Sequence, residues 1–284
     1  MCAQVGIEDV AGNNWVIPVV TGNLMQRPVS TGAELCGVGP FDGSNYAKVT
    51  GLNHNYGNPA KFTMMGWFKT TYTGGYQYVM TMLDGTSTHR AGIAIETTNG
   101  GLYFYDSSQA SWNPEWHDAS KNVRDGKWHH VAGVYDANDR KILYRDGVPV
   151  KETAPSNNIN FGAISSYHIG YTSTNGSDLH YPFGNGTGGD HMISLVKVSE
   201  VAMTNEQIKR IYEAEKPLFY ENAQCTIYGT SSTATAFAHD QVLDRYHVGT
   251  SAGRSDFDGL RRINNTTTPV TTAIAACNGL IVDQ

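Results

Sequence analysis

The chain of 284 residues is long enough for one large domain with accessories or for two modest domains, and it can bury a sizeable core without metals or crosslinks. Hydrophobic residues make up 40% and charged residues only 16%, with 31 Gly beside 16 Tyr, a balance that favours short strands and many turns over long charged helices. A formal charge of −6 with scattered Lys and Arg leaves no basic surface, which excludes nucleic acid as the main partner.

Residues 1–20 contain Glu8, Asp9 and a polar Gly12-Asn13-Asn14 and lack both a basic start and a continuous apolar run. They are neither a signal peptide nor a membrane span, so the expectation is a product that stays in the cytoplasm until assembly, with no membrane insertion. Residues 1–36, with apolar pieces around Trp15 to Val20 and Leu24 to Val29 split by turn formers, read as an N-terminal arm or attachment segment. From Gly37 onward the pattern predicts short strands at Phe62 to Thr70, Tyr78 to Leu83, Ala91 to Glu96, Leu102 to Tyr105, Trp128 to Tyr135, Ile142 to Tyr144 and Ile193 to Val198. Asp146-Gly147, between Ile142-Leu143-Tyr144 and Val148-Pro149-Val150, predicts a hairpin because Gly accepts the positive φ of a tight turn.

One helix is predicted over Asn205 to Glu215, with Thr204 and Gln207 as a capping box, an apolar stripe of Ile208, Ile211 and Tyr212, and Pro217 as its stop. Past it the composition shifts to Thr, Ser, Ala and Gly, so residues 217–284 read as a β-rich C-terminal extension. Cys2, Cys36, Cys225 and Cys277 form no C-x-x-C pair, which argues against a zinc knuckle or thioredoxin-type site, and all four are expected to be free thiols.

The run Trp128-His129-His130-Val131-Ala132-Gly133-Val134-Tyr135-Asp136, followed by Leu143-Tyr144-Arg145-Asp146-Gly147, resembles the W-H-H-V-A … L-Y-x-D-G signature of laminin-G-like domains. Phe41-Asp42-Gly43 is similar to the family's opening F-D-G, Val196-Lys197-Val198 to its closing strand, and Ala202-Met203-Thr204 to the turn before its terminal helix. The resemblance covers residues 37–216. It implies an all-β fold: an antiparallel jelly-roll sandwich of concanavalin-A-like type, closed by one short helix, with rim loops carrying any ligand site. Where the family often starts its closing strand with an acid this chain has Ser194, with Asp190 upstream. Within residues 217–284, Ala234 to Asp240, Tyr246 to Thr250 and Gly259 to Ile263 resemble a single β-propeller blade, which cannot close a propeller alone, so the extension is expected to pair with copies of itself or with a neighbouring protein.

Several chemical motifs fail on context. Gly249-Thr250-Ser251-Ala252-Gly253 fits G-x-S-x-G, yet no His follows His247 and no helix follows the serine. Gly184-Asn185-Gly186-Thr187-Gly188-Gly189 fits G-x-G-x-x-G, but a strand follows where a phosphate site needs a helix N-terminus. Glu96 has no partner two residues on, so the paired acids of a glycosidase are missing from that strand. His129 and His130 are adjacent in a strand and point to opposite faces, which prevents them from sharing a metal.

The remaining candidates are binding residues. Tyr103, Tyr105, Trp112 and Trp116 concentrate aromatics in and beside a long polar loop, where rings stack on sugar faces and Asn113 binds hydroxyls. Asp42, Asn45 and Asp190 offer oxygens for calcium at rim loops, against the bland alternative that they are turn residues. Extensions of this kind after a laminin-G-like domain are similar to some phage tail-fibre proteins. The resulting expectation is a non-catalytic virion protein, a tail fibre or appendage, that binds a host surface glycan or protein, contacts other virion proteins and forms a homo-oligomer. The alternatives are a purely architectural virion protein and a carbohydrate-active enzyme.

Overall fold

The computed structural model describes residues 7–8, 15–16, 19–57, 60–84, 90–107, 117–118, 120–154, 164–174, 177–180, 182–184, 189–231 and 233–284. The chain divides into two compact units, one of residues 4–27 and 37–212, the other of residues 1–3, 28–36 and 213–284.

The first unit is built on two seven-stranded sheets. One runs in the order β11 (His117–Asp118), β10 (Leu102–Ser107), β9 (Arg90–Ile95), β8 (Gln77–Asp84), β15 (Ile164–Ile169), β6 (Tyr46–His54), β3 (Val19–Thr21). The other runs β14 (Val148–Thr153), β13 (Lys141–Arg145), β12 (His129–Asp136), β7 (Lys61–Lys69), β18 (Met192–Ser199), β5 (Cys36–Gly39), β4 (Met25–Pro28). Two small hairpins, β1 (Ile7–Glu8) with β2 (Trp15–Val16) and β16 (Thr172–Thr174) with β17 (Ser177–His180), complete it. The registers given for these strands are antiparallel, the pattern of a jelly-roll sandwich. Residues 19–28, expected within an attachment arm, instead supply an edge strand to each sheet.

The period-2 alternation explains the core. Ala91, Ile93 and Ile95 of β9, Leu102 and Phe104 of β10, and Ile164, Tyr167 and Ile169 of β15 point inward from one sheet. Phe62, Met64 and Phe68 of β7, Val131 and Tyr135 of β12, and Ile193 of β18 meet them from the other. Each such side chain stabilises the fold by about 1.5–3 kcal/mol through burial. One charged pair lies among them: Lys141 of β13 reaches Asp106 of β10, and both side chains are only 1% exposed. Its ammonium also sits 5.3 Å from the Phe104 ring centroid, and burial pushes its pKa down to about 8 against the pull of Asp106.

The alternate residues of β12 serve a second core. Ala132 and Val134 join Met65, Ile142, Tyr144 and Ile208 beneath helix α1 (Asn205–Glu215). The capping box forms as the sequence predicts: Gln207 N–H donates to Thr204 Oγ1 at 3.3 Å, and Thr204 N–H to Gln207 Oε1 at 2.9 Å. The turn before the helix is fastened by Thr63, whose hydroxyl donates to Val201 O at 2.6 Å and accepts from Met203 N–H at 3.0 Å. A 3-10 turn at Lys216–Phe219 follows α1.

The second unit has a four-stranded antiparallel sheet, β19 (Ala234–Asp240), β20 (Arg245–Thr250), β21 (Gly253–Asp258) and β22 (Arg261–Asn265), and a hairpin of β23 (Ile274–Cys277) and β24 (Leu280–Asp283). Residues 28–36 are stitched into it by Glu34, whose carboxylate accepts the N–H groups of Cys225 and Thr226 at 2.8 Å. The expectation of four free thiols is corrected: Cys36 is disulfide-bonded, while Cys225 and Cys277 are free and exposed. Linear spacing cannot reveal a crosslink that only the folded chain brings together. Among the described residues no helix is long and apolar enough to cross a membrane.

Candidate functional site

Strand direction sorts the loops of the first unit. β5, β7, β9 and β15 end at the same edge of the sandwich where β6, β8, β10, β12 and β18 begin, so residues 40–45, 70–76, 96–101, 120–128, 182–184 and 189–191 lie on one rim.

The centre of this rim is the Thr70–Tyr76 loop. The Thr70 hydroxyl lies 3.0 Å from both Gln77 Oε1 and His191 Nδ1, and Gln77 Nε2 donates to Tyr72 O at 2.8 Å. Gln77 Oε1 also accepts Gly184 N–H at 3.2 Å, which ties in the start of the glycine-rich segment. His191 is buried, and that burial lowers its pKa although Asp190 pulls the other way, so it serves as a neutral strut. Arg124 closes the outer side by donating to Thr97 O at 2.8 Å and Thr73 O at 3.4 Å.

This scaffold holds two half-buried rings that sequence reasoning missed, Tyr72 and Tyr76. Tyr72 stands edge-on to His191 at 6.4 Å, and Tyr76 lies 6.0 Å from Tyr103. The signal for them was present in Thr71-Tyr72-Thr73-Gly74-Gly75-Tyr76, tyrosines flanking a Gly-Gly turn. Trp128, which the sequence reads as the start of a strand, is half-buried at the same rim with the Lys69 ammonium 5.7 Å from its ring.

The predicted ligand residues divide in two. Tyr103 and Tyr105 sit on the outer face of the first sheet with Tyr78 and Ala94, at only 5% and 7% exposure, so neither ring offers an open face. Tyr105 donates to Thr81 Oγ1 at 3.3 Å, and burial pushes its phenol up to about 12. Burial, then Tyr76, also raises the phenol of Tyr103. Trp112, Asn113 and Trp116 lie outside the described residues.

The three calcium candidates share the rim, where Phe41 N–H donates to His191 O at 2.9 Å. Their polar atoms are engaged. Asn45, 1% exposed, accepts Asp42 N–H at 3.1 Å and donates to Pro40 O at 3.0 Å. Asp42 Oδ1 takes the N–H of Ser44 at 2.9 Å and its hydroxyl at 2.8 Å, which hold its pKa below the usual range. Asp190 pairs with Lys69. Among the described residues no group of three or more His, Cys, Asp or Glu converges.

His129 is held between two acids, its Nδ1 3.0 Å from Asp146 and its Nε2 3.1 Å from Asp125. Burial raises both carboxyls, yet hydrogen bonds outweigh it and keep them below the usual range, from His129 and His130 N–H to Asp146 and from Lys127 N–H and His129 to Asp125. This cluster fastens the Asp146-Gly147 turn to β12, so the first histidine of the signature is structural.

Two antiparallel sheets packed as a jelly roll are the architecture of concanavalin A-like domains. The sequence profile described as the concanavalin A-like lectin/glucanases superfamily matches residues 41–209, and the chain belongs to that superfamily. No relative emerges among curated proteins. Among solved structures, it is similar to domain 4 of AbnA, a GH43 extracellular arabinanase from Geobacillus stearothermophilus, in complex with arabinotriose. That match has 15% identity and a TM-score of 0.54 over 73% of this chain and 93% of that one. The binding domain of botulinum neurotoxin DC in complex with rat synaptotagmin II matches at 14% identity and a TM-score of 0.53, over 88% of this chain and 58% of that one. At such identities the likeness establishes the fold alone.

Proposed function

We propose that this chain is a non-catalytic recognition protein, a tail fibre or similar appendage of a phage, whose sandwich binds a saccharide on the host surface. The observation that carries the reading is the Thr70–Tyr76 loop, which presents Tyr72 and Tyr76 half-exposed from a stem fixed by Thr70, Gln77, His191 and Arg124. Rigid aromatic rings with polar groups beside them suit the C–H faces and hydroxyls of a sugar, and a prearranged loop loses little entropy on binding. The saccharide complex of the arabinanase domain supports the same use of this fold. Glu96, the acid just past β9, accepts Asn99 N–H on Oε2 at 2.8 Å and so helps shape its own turn, which supports binding over catalysis. The Cys36 crosslink is of the type that persists in oxidising surroundings, virion surfaces among them.

An array of bacterial surface polysaccharides tests the proposal. Specific binding that falls in Tyr72→Ala and Tyr76→Ala, and in Trp112→Ala or Trp116→Ala if those residues contribute, supports it. Silence across the array assigns the chain an architectural role, and release of saccharide assigns it an enzymatic one. Mass spectrometry of purified particles checks its place in a virion.

A further inference from the structure

The second unit carries rings of its own on an open sheet face. The register of β19 and β20 sets Phe237 opposite Val248 and His239 opposite Tyr246, so these four side chains share one face. Three of them form a ladder. Tyr246 and His239 stack with centroids 4.6 Å apart at 14°, and Phe237 and Tyr246 lie 5.9 Å apart at 28°. Phe237 is 62% exposed and Tyr246 37%, whereas Phe257, opposite Tyr246 on β21, is only 8% exposed. Half of this face is therefore finished as protein interior and half is left open.

A carboxylate borders the open half. Asp244, in the turn between β19 and β20, has a side chain 85% exposed and Oδ1 2.9 Å from His239 Nε2. Its φ of 51° places it in the left-handed region, so the turn fixes the acid beside the rings at a cost in backbone strain.

We propose that Phe237, Tyr246, His239 and Asp244 form a second saccharide-binding site, separate from the rim and independent of it. The C–H face of a pyranose ring stacks on Phe237 and Tyr246, and Asp244, steadied by His239, accepts hydroxyl protons. The mixed character of the patch favours a sugar: open rings offer a platform for C–H groups, and a carboxylate fixed beside them offers an acceptor for hydroxyls.

The test is saturation-transfer NMR on the full chain carrying Tyr72→Ala and Tyr76→Ala, so that rim binding does not contribute. The probes are cellohexaose, maltohexaose, xylohexaose and N-acetylchitohexaose. At least one is expected to show transfer to its ring C–H protons, with affinity about tenfold weaker after Phe237→Ala or Tyr246→Ala. Phe237→Trp, which keeps a platform, should retain binding. The proposal is overturned if no probe receives saturation, or if binding survives the Phe237→Ala, Tyr246→Ala double substitution. It is also overturned if sedimentation shows a dimer that Phe237→Ala splits, which would give the face to a second copy of the chain.

Discussion

The ring of Phe104 on one sheet occupies the space above Gly133 on the other, where an added Cβ would stand 2.6 Å from ring carbons Cδ2 and Cε2. Side chains in such a core have no room to retreat. Gly133→Ala is therefore expected to destabilise the first unit by about 1–3 kcal/mol through overpacking. Urea denaturation followed by tryptophan fluorescence measures it, and an unchanged midpoint would mean that the two sheets are free to separate slightly.

Lys141 and Asp106 bind the sheets together by charge rather than by packing. Lys141→Met removes the ammonium that the buried Asp106 carboxylate faces, and the expected loss is about 3–5 kcal/mol. Replacing both, Lys141→Met with Asp106→Leu, should recover most of that loss, because the desolvation cost of the pair disappears with it. A double-mutant cycle in denaturant gives the two values side by side.

His130 faces α1 between the rings of Trp67 and Tyr212, at 5.3 and 5.9 Å, and neither of its ring nitrogens has a hydrogen-bond partner. Burial, reinforced by Lys197 and opposed by Asp146, pushes its pKa down from 6.5 to about 4. Between those values the unfolded chain binds the proton and the folded chain does not, so stability is full above pH 6.5 and declines as the pH falls towards 4. The decline attributable to this residue is roughly 3 kcal/mol. Thermal melts of wild type and His130→Phe across that range should converge in slope if another group is responsible, and differ if His130 is.

In the second unit Asp256 gathers three donors: His247 Nδ1 at 2.7 Å, Arg254 Nε at 2.8 Å and Asn264 Nδ2 at 2.9 Å. Asp256→Ala removes the shared acceptor of His247 and Asn264 and leaves Arg254 with Asp283 alone, and about 1–3 kcal/mol should be lost from this unit. Limited proteolysis is expected to cut residues 233–284 of the variant well before it cuts the sandwich.

Much of the sandwich was legible because its strands obey local rules. The Val131 to Tyr135 run is apolar on both faces because one face meets the sheet opposite and the other meets α1. The Thr204 capping box and the Asp146-Gly147 turn are equally local, and both formed where the residues said they would. What escaped the sequence depends on partners far along the chain. A lysine opening a strand reads as solvent-facing, and only the arrival of Asp106, 35 residues away, lets Lys141 turn inward. The same holds at the rim: Tyr72 and Tyr76 gain meaning from His191 and Tyr103, and Tyr103 and Tyr105 lose theirs as open rings because the fold covers them.

Thr70 and Gln77 meet through their own side chains, so the loop they bracket is closed from below whatever its tip contains. Several of its further ties run to backbone atoms, Tyr72 O to Gln77 Nε2 and Thr73 O to Arg124, which any residue at those positions offers. Such a tip is an exchangeable cassette for an engineer: residues 73–75 can be replaced while Thr70, Gln77 and His191 keep the stem closed.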